Sequence, residues 1–308
     1  MFKYFSMKRT GRSIQIVYTC AEIPMYKIYA NKKIAPDIFR LEITAPLVAD
    51  KFKAGQFVVV RPSSQSERVP LTIMRGDQER GTIFLVVKAI GLSTRELCGL
   101  PQGAEICDLL GPLGQPSEID DFGTVVIVGG GVGSAVAFAV ADALKKAGNR
   151  IITISGARSK EFVILENEFA EISEELIITT DDGSYGRHGF VTNALESLYA
   201  GARKIDRVIA AGPVPMMKLV SDITRQHNTP TIASLNPVMV DGIGMCGGCR
   251  VVVGGEIRFA CVDGPEFDAH LVDFDSLMRR NTAYREIEQR KENECKLDAA
   301  VQEEEKSE

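Results

Sequence analysis

Thr124-Val125-Val126-Ile127-Val128-Gly129-Gly130-Gly131-Val132-Gly133-Ser134-Ala135 passes from a β-branched run into three consecutive glycines, a fourth after one residue, and an Ala-rich stretch reaching Gly148. The segment from Phe122 to Ala141 carries no charge, and its length approaches what a bilayer requires. The glycines break it, however, so a strand, a tight turn and a helix account for it better than a membrane span. In that position glycines let the chain turn sharply and let an anion approach backbone N–H groups at a helix N-terminus, where the dipole favours negative charge. Gly129, Gly130, Gly131, Gly133 and Ser134 are therefore candidate contacts for a dinucleotide pyrophosphate. A turn selected for packing alone is the competing explanation.

The same texture repeats downstream in IITISGAR (151–158), LIITTDD (176–182) and DRVIAAGP (206–213). Such repetition predicts a parallel α/β sheet with helices on its faces over residues 119–236. Ligands of open α/β sheets bind at the carboxyl ends of the strands, which singles out Arg158, then Asp181, Asp182 and Gly183, then Gly212, Pro213 and Met216. An acid to hold an adenosine ribose is not plainly present after the second strand; Gly156-Ala157-Arg158-Ser159-Lys160 stands there instead. NAD and NADP both remain open, because Arg158 and Lys160 suit a 2′-phosphate, a pyrophosphate or plain solvent exposure.

Upstream, residues 25–118 read as short strands, with FRLEIT (39–44), QFVVVRP (56–62) and TIFLVVKAI (82–90) showing the alternation of a small antiparallel barrel. Residues 1–24 carry Lys3, Lys8, Arg9 and Arg12 and no apolar core of a signal peptide. They are read as an extension of doubtful relevance, a translation start assigned upstream of the true one being preferred.

Downstream, residues 237–275 are rich in glycine and cysteine, and the spacing Asp241-x4-Cys246-x2-Cys249-x11-Cys261 is the strongest local signal. Plant-type [2Fe-2S] loops use C-x4-C-x2-C with a distant fourth cysteine, so Asp241 stands where the first thiolate would be. Three thiolates and one carboxylate form the expected ligand set, with glycines turning backbone amides toward the sulfides. A structural zinc knuckle on the same cysteines is the alternative. The segment is too small for an independent core without a metal. Residues 276–308 are expected to form a charged helix, part of a helical stretch over 274–296, and a solvated acidic tail.

The chain has 308 residues, 45% hydrophobic, with 36 Lys and Arg against 41 Asp and Glu. A net charge of -5 offers no basic face, which argues against nucleic acid. Seven cysteines are too few for a disulfide scaffold in a chain this long and suit a reducing, cytoplasmic setting. Cys20, Cys98, Cys107 and Cys295 are isolated and read as apolar fillers or incidental thiols. His188, His227 and His270 have no nearby Ser or Cys partner in sequence. No catalytic side chain is assigned, and the chemistry is left to cofactors.

These motifs together resemble the ferredoxin-reductase superfamily from about Met25 to Arg280. Within it the chain is similar to the electron-transfer subunit of dihydroorotate dehydrogenase and to the small (alpha) subunit of NADH-dependent, electron-bifurcating ferredoxin:NADP reductases, the sulfide dehydrogenase beta type. The resemblance implies a flavin-binding barrel, a nucleotide-binding parallel sheet and a small C-terminal iron-sulfur segment. It implies FAD held by Arg68, Val69, Pro70, Leu71, Thr72 and Ile73, by Val87, Lys88 and Ala89, by Gly91, Ser93 and Thr94, and by the Gly111 to Gly114 segment. Most of the superfamily places an aromatic residue over the flavin, where this chain has Pro70-Leu71, and many members have Cys-Gly-Pro where it has Ala211-Gly212-Pro213. A thiol is therefore not expected at hydride transfer.

Asp241 and the DDGSYGRHGFVT stretch (181–192) resemble the bifurcating subunit more than the dihydroorotate relative, which supplies four cysteines. The implied function is electron transfer between NAD(H), FAD and a [2Fe-2S] cluster, with NADP(H) not excluded. The implied partner is a larger iron-sulfur flavoprotein, with ferredoxin reached through the complex; the alternative is pyrimidine biosynthesis with a dihydroorotate dehydrogenase subunit. The stretch from Leu277 to Arg290 either docks that partner or is a solvated helix.

Overall fold

The computed structural model describes residues 3–10, 13–20, 26–201 and 203–283. Strands β1 (Lys3–Thr10) and β2 (Ser13–Cys20) pair as an antiparallel hairpin in a sheet of their own. The barrel follows as β3 (Tyr26–Ala35), β4 (Ile38–Thr44), helix α1 (Pro46–Lys51), β5 (Phe57–Arg61), β6 (Val69–Asp77), β7 (Thr82–Lys88), helix α2 (Leu92–Gly99), β8 (Glu105–Ile106) and β9 (Asp108–Leu113). Its strands lie in the order β8-β3-β4-β7-β6-β5-β9. The two outer strands are separated in the chain only by Cys107, so the antiparallel sheet curls until it nearly closes. Closure hides edges that would otherwise offer unpaired backbone groups.

Alternation explains the sequence texture of β7. Ile83, Leu85 and Val87 fill the barrel interior, while Phe84 and Val86 face outward and pack on the neighbouring α/β layer. That layer contains β10 (Thr124–Gly130), α3 (Gly133–Lys146), β11 (Arg150–Ala157), α4 (Glu166–Ile172), β12 (Glu175–Thr180), β13 (Arg187–His188), α5 (Val191–Ala200), β14 (Arg207–Ala211), α6 (Val214–Gln226) and β15 (Thr231–Ser234). The strands pair in parallel in the order β13-β12-β11-β10-β14-β15. The chain builds outward from β10 on one side and returns to its other side with β14, so the turn after β10 lies at the topological switch point.

The C-terminal segment forms the hairpin β16 (Arg250–Val253) and β17 (Glu256–Phe259), then β18 (Glu266–Asp268) and helix α7 (Phe274–Thr282). Strand β18 adds to β15 in antiparallel sense. Cys249, Val251, Ala260, Cys261, Phe274 and Leu277 share one apolar cluster with Val126 and Val128 of β10. A segment too small for its own core is thus supported by the core of its neighbour. The helix expected over 274–296 is observed to Thr282; residues 284 onward, the second half of the stretch from Leu277 to Arg290 and the acidic tail among them, lie outside the described residues.

The connection between barrel and sheet is stitched to both. Gln56 Nε2 donates to Gly114 O at 2.9 Å, Ser117 N to Ala54 O at 2.8 Å, and Gln115 N to Gly264 O at 2.6 Å. Ser117 Oγ donates to Glu266 Oε1 at 2.9 Å. Glu266 is only partly exposed, and burial pushes its carboxyl up to about 7 against the opposing pull of the Ser117 donor and the Arg207 charge. The folded chain therefore holds more protons than the unfolded one between the ordinary glutamate range and about 7. Stability falls as pH rises through that window and levels off above it. Glu266→Gln, which keeps an acceptor for Ser117, should flatten that decline in urea midpoints followed across the window, whereas an unchanged slope would show that Glu266 titrates alike in both states.

Candidate functional site

The carboxyl ends of β10, β11, β12, β14 and β15 open onto a cavity of about 860 Å3 that the barrel closes from the opposite side. The barrel contributes Phe57, Pro70, Leu71, Thr72 and Lys88; the sheet contributes Gly130, Gly131, Gly133, Arg158, Asp181, Gly212, Pro213 and Met216. Two sets of residues that the sequence assigned to different ligands therefore meet in one cavity. That apposition is what transfer between two bound molecules requires, because reacting groups must be held in contact.

The glycines of the turn divide by role. A Cβ on Gly133 would lie 2.4 Å from the Ala211 carbonyl oxygen, one on Gly130 2.5 Å from Met216 Sδ, and one on Gly129 2.8 Å from Ser134 Oγ. These three are demanded by packing of the turn against α3 and the loop after β14. Ser134 is buried with its hydroxyl 3.4 Å from Ser155 Oγ, so its side chain also serves packing. Gly131 differs: its φ is +55° and nothing lies within 4 Å of an added Cβ. Here bare backbone faces the cavity, at the start of a helix that has no side-chain cap. Uncapped N–H groups and the positive end of a helix suit a diphosphate. Thr179 Oγ1 is buried without a partner behind cavity-lining Gly156.

Asp181 lines the cavity, while Asp182 turns back on its own loop. Its carboxylate accepts from Ser184 Oγ at 2.6 Å and Ser184 N at 2.9 Å, and these bonds hold its pKa below the usual carboxylate value. Gly183 packs on His188. Arg158 lies over the Phe162 ring at 5.3 Å, and both line the cavity.

A second polar group gathers beside the cavity at the start of α2. Thr94 Oγ1 accepts from Ile90 N at 3.1 Å and Gly91 N at 3.0 Å, while Ser93 Oγ accepts from Glu67 N at 2.9 Å. Arg68, next in the chain, pairs with Asp108 at 3.3 Å. A cation and hydroxyls converging on a helix start suit the phosphates of FAD, and the apolar Pro70-Leu71 wall suits its ring. Val69 opens β6 and Ala89 packs on the barrel. The side chains of Ile73 and Val87 are fully committed to the barrel core, leaving only their backbone for a ligand. Gly111 and Gly114 are packing glycines, against Val58 and against Gly264 of the C-terminal segment respectively.

In the third group, Cys249 Sγ donates to Cys261 Sγ at 3.2 Å, both thiols being buried. Burial, with Cys249 alongside, pushes the Cys261 thiol up to about 12. Cys246 is exposed, and its sulfur accepts from Gly248 N at 3.4 Å. Asp241 caps the loop beside the thiols: its carboxylate accepts from Ile243 N at 3.0 Å and Cys246 N at 2.6 Å, bonds that hold its pKa down. Among the described residues no three acidic, His or Cys side chains converge as a metal-binding group. The donor chemistry nevertheless fits an iron-sulfur cluster, since Cys246 and Cys249 share one loop and Cys261, just after β17, brings its soft thiol into contact with Cys249. No helix among the described residues is long and apolar enough to cross a membrane.

Phe190, Asn236, Pro237, Met239 and Pro265 also line the cavity and escape the sequence reading. Asn236-Pro237 follows β15 at the same sheet edge, so the rule that selected the loops after β10, β12 and β14 extends to it. Phe190 and Pro265 carry no comparable signal.

Barrel, switch-point sheet and thiol loop define an oxidoreductase of the ferredoxin-reductase-like class. Phthalate dioxygenase reductase shares the fold at 18% identity, with a TM-score of 0.53 over 74% of this chain and 85% of that one. The profile of the iron-sulfur cluster binding domain of dihydroorotate dehydrogenase B matches residues 236–273. A Thermotoga maritima dihydroorotate dehydrogenase B (NAD(+)) electron transfer subunit homolog is 48% identical over 262 residues, 85% of this chain and 92% of the relative. The corresponding subunit from Geobacillus sp. (strain WCH70) is 35% identical over 79% of this chain and 95% of its own. A chain of the solved NADH-dependent reduced ferredoxin-NADP oxidoreductase, described for flavin-based electron bifurcation, is 46% identical with a TM-score of 0.82, covering 88% of this chain and 99% of that one. The chain belongs to the family of dihydroorotate dehydrogenase B electron-transfer subunits and their homologues.

The division of the glycines is testable. Gly131→Ala should cost only about 1 kcal/mol for its left-handed backbone, yet weaken NADH binding about tenfold, or ~1.4 kcal/mol. Gly133→Ala should lose about 1–3 kcal/mol of stability from overpacking. Thermal unfolding and NADH titration of the two variants separate packing from ligand approach.

Proposed function

We propose that this chain is the small subunit of an NADH-dependent, electron-bifurcating ferredoxin:NADP oxidoreductase, passing electrons between NAD(H), FAD and a [2Fe-2S] cluster. The carrying observation is the 46% identity and 0.82 TM-score over 99% of a chain from such a complex. A larger iron-sulfur flavoprotein is the partner, and ferredoxin is reached through it. The thiols without disulfides, Cys98, Cys107, Cys246, Cys249 and Cys261, support a cytoplasmic location.

FAD, when bound, supplies the conversion of a hydride's two electrons into single-electron transfers. The chain's own residues bind and orient. Phe57, Pro70 and Leu71 give the flavin side of the cavity an apolar wall that excludes water, and Arg68, Ser93 and Thr94 receive phosphate. Gly131 and the start of α3 take the pyrophosphate of the nicotinamide nucleotide. Asp181 accepts from a ribose hydroxyl, which favours NAD(H), while Arg158 is the group that would answer a 2′-phosphate. Asp241, Cys246, Cys249 and Cys261 ligate the cluster. Asp241 is suited to this role because a carboxylate can accept two backbone N–H bonds and still present a free lone pair.

The second reading, an electron-transfer subunit of dihydroorotate dehydrogenase, is favoured by the cluster-domain profile and by the curated relatives. Anaerobic purification from the native host, with mass spectrometry of what accompanies the chain, decides between them. A large pyridine-nucleotide-dependent iron-sulfur flavoprotein is the expected companion; a dihydroorotate dehydrogenase catalytic subunit would transfer the role to pyrimidine synthesis. For the ligand set, Asp241→Cys should retain iron and shift the cluster midpoint potential, since a softer donor replaces a harder one. Loss of iron with unchanged NADH oxidation would remove Asp241 from the set.

A further inference from the structure

Near its end, helix α7 (Phe274–Thr282) carries two consecutive residues that reach in different directions. Arg280 donates from its terminal nitrogen to Gly248 O at 3.1 Å, inside the Cys246-x2-Cys249 turn. Asn281 donates from Nδ2 to Asn236 O at 3.3 Å, and Asn236 lines the large cavity. Each residue also keeps a buried polar atom without a partner, Arg280 Nε and Asn281 Oδ1. The helix that carries them is anchored at its other end. Phe274 and Leu277 are buried in the shared core, Asp273 Oδ1 caps Ser276 N at 2.8 Å, and Asp275 pairs with Lys218 of α6 at 2.7 Å.

We propose that Arg280 and Asn281 form a two-ended strut that fixes the cluster loop relative to the nucleotide cavity, and that the Arg280 charge raises the potential of the cluster held by that loop. This rests on residues 241–261 being the cluster segment. Helix-end electrostatics alone does not account for Arg280, because the neighbouring Arg279 is exposed and already places a cation in the last turn. Arg280 is instead drawn inward, where leaving a guanidinium nitrogen buried and unpaired is costly. Three thiolates and a carboxylate around a [2Fe-2S] core carry net negative charge, which offsets that cost in the loaded protein. Arg250, the other cation beside the turn, is exposed and solvent-screened. A fixed positive charge near a cluster stabilises its more negative, reduced form, so its removal lowers the potential.

Arg280 and Asn281 are positioning residues, and the test reads quantities that general destabilisation does not move selectively. The intact complex carrying Arg280→Gln, Arg280→Lys or Asn281→Ala is assayed for iron content, for cluster midpoint by EPR-monitored titration, and for KM and kcat with NADH. Arg280→Gln should keep its iron and show a more negative cluster midpoint with the flavin midpoint unmoved, and Arg280→Lys should return to the wild-type value. Asn281→Ala should leave the cluster midpoint in place and raise KM for NADH severalfold with little change in kcat. An Arg280→Gln midpoint equal to wild type overturns the charge role. If Arg280→Gln loses its cluster, Arg280→Lys decides: a wild-type midpoint supports the proposal, and a lost or equally displaced cluster overturns it. An Asn281→Ala variant with unchanged KM removes the cavity end of the strut. Absence of iron from the wild-type complex would instead defeat the reading of the cluster segment itself.

Discussion

Strand β10 is buried on both faces, and the barrel and the C-terminal segment both pack into the clusters that its side chains join. Val125 and Ile127 join the cluster that includes Ala35, Ile38 and Met74 of the barrel, while Val126 and Val128 join the cluster that includes Cys249, Val251 and Cys261. One strand therefore contributes side chains to both clusters, while the barrel and the C-terminal segment also meet directly, Phe57 and Val59 sharing the cluster of Cys249 and Cys261. A core this dense transmits displacement instead of absorbing it, so the barrel and the C-terminal segment are placed by packing on β10 and on each other.

The same strand ends in the glycine turn, and the constraint continues there. Gly130 and Gly133 allow the turn to press against Ala211, Gly212 and Met216, which brings the β14 loop to the mouth of the cavity. Tight contact at this point leaves Gly131 as the place where a ligand can meet the backbone. Packing and binding are consecutive uses of neighbouring residues, which is why a motif of this kind is weak evidence when read alone and strong evidence once its context is known.

What could be read in the sequence was whatever depends on local periodicity. The β-branched runs at 124–128, 151–154 and 207–210 announced a parallel sheet, and alternation in 82–88 announced a barrel strand, because face burial imposes the period directly. Arg68 to Thr72 conveyed only a strand until family resemblance supplied the flavin. The reach of Arg280 to Gly248 depends on residues 32 apart meeting in space, and the cavity contacts of Phe190 and Pro265 likewise depend on meetings between separate segments. No local pattern encodes that meeting. Asp241 illustrates the opposite difficulty: its spacing suggests a ligand, while the fold shows the same carboxylate organising its loop.

The thiol loop shows why ligand type and protein environment have to be considered together. Cys249 and Cys261 are set in the apolar core, where burial keeps the Cys261 proton in place up to about 12. Metal ligation needs the thiolate, so cluster insertion has to displace protons and draws on the affinity of iron for sulfur. Asp241 is held in the opposite state, its backbone donors keeping it ionised well below neutrality. Buried thiols beside a half-buried carboxylate already held by backbone donors thus give the loop a fixed negative charge before those thiols ionise.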